Sequence, residues 1–144
     1  MSTMHYQDRR PPQEPSLLSS SDCKRIIIEG DAKVLTACAQ TIGTGLAGQL
    51  TASQIRNVFG TVRQIETIWG RRTTPVQQAQ AARQLILLKP KLAYQAKRLR
   101  SRGMEELVRV LVPAIDLVGD RREHFQNFVD FFEAIVAYHV AAGG

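Results

Sequence analysis

The chain is poor in the residues that build stapled, metal-held or membrane-embedded folds. Its 144 residues include two cysteines, Cys23 and Cys38. Two thiols cannot make a disulfide framework or a four-ligand zinc site, and they read as reduced side chains on apolar or half-buried helix positions. No apolar run approaches the ~18–20 residues of a membrane span. The N-terminus has no apolar core of a secretory signal. These absences lead to the expectation of a cytoplasmic protein with no membrane partner. Histidine is scarce as well. His5 falls near the N-terminus, and His124 and His139 fall fifteen residues apart on one predicted helix. That spacing is roughly 22 Å along the axis, so the two cannot share a metal. Glu105, Glu106, Asp116, Asp120 and Glu123 lack the spacing of a paired-metal nuclease site. Gly43-Thr44-Gly45-Leu46-Ala47-Gly48 imitates a phosphate-binding glycine loop, but no strand precedes it. The reading is of a protein without catalytic residues, metal ligands or cofactor, and so not an enzyme.

The scarcity with the most consequence is that of acid in the middle of the chain. Between Thr51 and Arg102 there are eleven basic residues and one acidic residue, Glu66, a net charge of +10. The remainder holds eight bases and twelve acids, a net charge of −4, which accounts for the total of +6. Cations concentrated in one segment attract polyanions.

What is present reads as helix throughout. Residues 1–20 carry Pro11, Pro12, Pro15 and a serine run with sparse apolar content, the composition of a flexible tail. Residues 21–142 form the expected domain. Asp22–Glu29 is predicted as a short helix. Asp31 caps a second one to about Thr41, and Gly43, Gly45 and Gly48 then mark a loop. Thr51-Ala52-Ser53-Gln54 is a capping box, followed by Ile55, Val58, Phe59, Val62, Ile65 and Trp69 at helical spacing. Gly70 ends that helix. Thr74-Pro75 starts another, with Val76, Ala79, Ala82, Leu85 and Ile86 facing in. Pro90 is expected to break or bend the axis near Leu88-Lys89. A further helix then runs to about Arg102, with Leu92, Ala96 and Leu99 as its core line. Gly103 breaks the chain again. Met104, Leu107, Val108, Leu111, Ile115 and Val118 follow, bent at Pro113. The last helix carries Phe125, Phe128, Val129, Phe132, Ile135, Val136 and His139, the densest apolar stripe and the expected centre of the core. The fold class is all-α: a single-domain bundle of five to six helices.

Lys91, Tyr94, Arg98 and Arg102 share one predicted stripe away from the core line. Lys and Arg contact phosphates, and an aromatic ring stacks unpaired bases. The bland alternative is a solvated basic face with Tyr94 half-buried for packing. A competing functional reading is a helical protein–protein adaptor whose basic face docks an acidic partner.

Three pieces in order carry a family resemblance: Leu50-Thr51-Ala52-Ser53-Gln54-Ile55-Arg56, then Leu88-Lys89-Pro90-Lys91-Leu92-Ala93-Tyr94 with Arg98, then Phe132-Glu133-Ala134-Ile135-Val136-Ala137-Tyr138-His139. Over about residues 22–140 the chain resembles the small helical subunit of the type III-A CRISPR effector, the Csm complex. The resemblance implies a non-catalytic antiviral-defence protein in a ribonucleoprotein. Several copies would line a basic channel for the guide–target duplex and touch target RNA through its backbone. Other subunits of the complex, guide RNA and further copies of the chain would be its partners. Arg56, Lys89, Lys91, Tyr94 and Arg98 are the RNA-binding positions it implies. Arg63, Lys97 and Arg102 join them on charge and helical phase.

Overall fold

The computed structural model describes residues 17–144. Six helices follow in order: α1 Ser20–Ile27, α2 Ala32–Leu46, α3 Ala52–Ile68, α4 Pro75–Leu99, α5 Arg102–Val118 and α6 Arg122–Ala141. There is no strand among the described residues. Most of the expected tail, residues 1–16, lies outside the described residues. Ser19 caps α1 by accepting from the Asp22 amide, and Leu18 is buried against the core.

The starts of the helices are written in the local sequence. Thr51 accepts from the Gln54 amide while the Gln54 side chain accepts from the Thr51 amide, at 3.1 and 3.0 Å. Thr74 and Gln77 make the same reciprocal pair in front of Pro75. Each box satisfies amides that no helical carbonyl can reach.

α6 is the hub of the bundle. Phe125, Phe128, Phe131 and Phe132 are all fully buried, Phe131 included. Trp69 stacks on Phe125 with ring centroids 4.8 Å apart, and Phe59 meets Phe132 edge-on at 5.1 Å. These contacts seat α3 on α6. His139 is buried beside them. Its Nε2–H donates to the Leu50 carbonyl at 2.6 Å, which fixes the chain just before the Thr51 cap. At the other end of α6, the Asn127 side-chain amide donates to the Ile27 carbonyl at 2.9 Å and closes the last turn of α1.

Several expected breaks are absent. Gly43 and Gly45 lie inside α2, which runs to Leu46, so the glycine cluster is not a loop. A Cβ on Gly43 would stand 2.6 Å from the Ile135 carbonyl oxygen, so the glycine serves the close approach of α2 to α6. Gly103 likewise sits inside the first turn of α5. A Cβ there would stand 2.4 Å from the Gln49 carbonyl oxygen. The break falls earlier, where Arg100 takes a left-handed conformation (φ 50°, ψ 36°) and Ser101 caps α5.

Pro90 does not split α4 into two helices; the helix is continuous over 25 residues. Pro90 is exposed, while Leu88 and Leu92 on either side of it are buried. Packing on both sides of the proline keeps the helix continuous at the cost of one backbone hydrogen bond. Pro113 is likewise exposed inside a continuous α5. The inward face expected of α4 is also narrower than predicted. Val76, Ala79, Ile86 and Leu99 are exposed, and only Ala81, Ala82, Leu85, Leu88, Leu92 and Ala96 are buried. α4 packs chiefly on α3 and α5, at the edge of the bundle, and residues 75–80 in its first turns are exposed.

Candidate nucleic-acid interface

α4 contains five cations, Arg83, Lys89, Lys91, Lys97 and Arg98, and no acid. Helical phase sorts them. The buried line runs through Leu85, Leu88, Leu92 and Ala96. Tyr94 falls about 180° from that line at ~100° per residue, with Lys91 and Arg98 on one side of it and Lys97 on the other. Tyr94 is 65% exposed, and Lys91, Lys97 and Arg98 are exposed around it. None of the three cations forms an ion pair among the described residues. This is one exposed basic group with an aromatic ring at its centre.

The other expected positions are placed differently. Lys89 follows Leu88 and turns toward α5, where its Nζ donates to Asp116 Oδ1 at 2.5 Å. Arg63 lies on the α6 side of α3. It pairs with Glu66 at 2.8 Å and Glu133 at 3.6 Å, and its guanidinium sits 5.3 Å from the Phe59 ring centre. Arg56, seven residues before it on the same face, is exposed and has no ion pair among the described residues. Arg102 starts α5 rather than extending the α4 stripe, and pairs with Glu106 at 3.5 Å. The eight positions therefore do not form one uniform strip. Three have acid partners inside the chain, and the α4 group stands apart from the α3 pair. Arg83, outside the expected set, is exposed on the same side of α4 as Tyr94. Its signal in the sequence is its interval of eleven residues, about three helical turns, from Tyr94.

An apolar groove of ≈ 970 Å³ lies between α1 and α5, walled by Leu18, Cys23, Val108, Val112, Pro113 and Leu117. Burial first, and the neighbouring Cys38 second, push the Cys23 thiol up to about 11. Cys38 is also raised, by burial and by Asp22, whose carboxylate accepts from its Sγ at 3.7 Å. Thiols held protonated are poor nucleophiles at neutral pH. No group of three His, Cys, Asp or Glu is placed to hold a metal ion among the described residues. None of the described helices is long and apolar enough to cross a membrane.

An all-helical bundle is the fold that the three sequence pieces imply. A family model described as Csm2 Type III-A matches residues 29–144. The chain belongs to the Csm2 type III-A family. It is thus a small subunit of the type III-A CRISPR effector complex. The match spans α2 to α6 and includes all eight expected RNA-binding positions. Comparisons with curated proteins and with solved structures gave no match.

Proposed function

We propose that this Csm2 subunit is a non-catalytic element that lines the channel for the guide–target duplex. In this reading it holds target RNA by its phosphate backbone. The observation that carries the reading is the outer face of α4, where Lys91, Lys97 and Arg98 are exposed around Tyr94 and form no ion pair among the described residues. Lys and Arg there neutralise phosphates, and Tyr94 offers a stacking surface to an unpaired base. Arg56 extends the cationic surface from α3. Lys89, Arg63 and Arg102 support it less, because a phosphate has to compete with the acids they already hold.

With roughly four phosphate contacts on single-stranded RNA, log affinity falls with log salt at a slope of about −3. One copy therefore binds weakly at physiological salt. Several copies side by side on one strand gain avidity without new contacts. The test is the double reversal Lys91→Glu/Arg98→Glu in the assembled complex. Target-RNA affinity is expected to drop at least about tenfold, with a shallower salt slope. Unchanged affinity at matched salt overturns the reading.

A further inference from the structure

The apolar groove between α1 and α5 lies at the point where the chain enters the bundle. Leu18 is buried in it, and Ser19 and Ser20 also line it. One wall is α5, where Val108, Val112 and Leu117 are half-buried and Pro113 is exposed. Among the described residues, none of α4 lines the groove, so it is distinct from the group around Tyr94. Apolar side chains left in contact with water are stabilised by an apolar cover. Lys24 and Arg109 place positive charge at the rim.

The sequence joined to Leu18 has the matching composition. Residues 11–16 read Pro11-Pro12-Gln13-Glu14-Pro15-Ser16, with three prolines and one acid. Such a sequence favours the extended polyproline helix, which has three residues per turn. Ser19 has φ −71° and ψ 154°, the values of that helix, just before α1 starts. A period of three puts Pro12, Pro15 and Leu18 on one edge, and Leu18 is the member already seated in the groove. Glu14 shares its edge with Leu17, which is 41% exposed, and so belongs at the cationic rim. The lengths agree as well. The α5 wall from Val108 to Leu117 is about 14 Å long at 1.5 Å per residue. Six residues of polyproline helix span about 19 Å.

We propose that residues 11–16 occupy this groove as an extended strap of their own chain, with Pro12 and Pro15 on the α5 wall and Glu14 beside Lys24 and Arg109. The tether at Leu18 selects this occupant over a segment of another molecule. At an effective concentration of about a millimolar, a contact with a Kd of about 0.1 mM in trans is closed about nine-tenths of the time. Proline strengthens it by having little backbone freedom to lose. The contact stands apart from the RNA reading. It extends the folded unit upstream of α1 and takes an apolar groove out of reach of other proteins.

NMR of the full chain, labelled with carbon-13, tests this. Cross-peaks are expected from residues 11–16 to the methyl groups of Val108, Val112 and Leu117. Pro12→Asp/Pro15→Asp is expected to remove all of them, those from Glu14 and Ser16 included, and to shift the three residues' methyl resonances. Helical circular dichroism is expected to stay unchanged, since neither proline lies in a helix of the bundle. Glu14→Lys is expected to move the methyl resonances part of the way, through a rise of about threefold in the open fraction. From the groove side, Val112→Asp is expected to release the segment as the double change does. A wild-type chain without these cross-peaks overturns the proposal. So do Val112 and Leu117 methyl groups that keep their positions in the Pro12→Asp/Pro15→Asp chain. In an equal mixture of labelled and unlabelled chains, cross-peaks that run from one chain to the other show a strap laid across a neighbour and overturn the same-chain assignment. If those methyl groups respond to another subunit of the type III-A complex and not to changes in residues 11–16, the groove belongs to that partner and the strap falls.

Discussion

α6 and α4 are two long helices of one chain put to opposite uses. α6 has four buried phenylalanines and packs against α1, α2, α3 and α5. α4 is longer by five residues, yet its buried side chains are three leucines and three alanines, held chiefly against α3 and α5. Burying an aromatic ring removes far more apolar surface from water than burying an alanine, so α6 supplies packing energy out of proportion to its length. α4 contributes little core and much surface, and it is where the cations are. The comparison teaches that the proposed RNA-facing group stands on a helix whose buried side chains are small beside those of α6.

The contrast is open to measurement. Phe128→Ala in α6 is expected to destabilise the chain by about 3–5 kcal/mol in urea unfolding, since it empties the middle of the aromatic row. Gly103→Ala ranks next, at about 1–3 kcal/mol of destabilisation, because a methyl group there collides with the Gln49 backbone. That sign is opposite to the one helix propensity alone gives, as alanine is the better helix former. Pro90→Ala in α4 is expected to stabilise by about 1–2 kcal/mol. It restores a helical amide at an exposed position and removes the ring, offset in part by a more flexible unfolded chain. The Lys91→Glu/Arg98→Glu reversal is expected to shift stability by no more than about 0.5 kcal/mol, as surface changes without partners do. An α4 reversal that unfolds the chain, or a Phe128→Ala chain as stable as wild type, breaks the comparison.

Much of this was legible without coordinates, and the reasons are local. Thr51 with Gln54 and Thr74 with Pro75 declare helix starts within four residues. The row from Phe125 to His139 declares a buried face by its period alone. The expected break is absent at Pro90 and falls at Arg100 instead of Gly103. The local rule for proline and glycine is to break helices, and what overrides it is the packing of Leu88 and Leu92 on one hand and the nearness of Gln49 on the other. The inward side of α4 was overestimated because Val76 and Ile86 are apolar, and polarity says nothing about whether a neighbour is there to cover them.

By itself, the sequence determined that this protein is helical, where most helices begin, that the last helix is the centre of the core, and that positive charge gathers in the middle segment. Those properties depend on residues within a few turns of each other. Which of those cations are ion-paired within the chain and which stand unpaired depends on the packing of the helices. Lys89 meets Asp116 27 residues away, and Arg63 meets Glu133 on α6, while Lys91, Lys97 and Arg98 face outward. Coulomb attraction depends on distance in space, and the folded chain alone sets which acids come within reach.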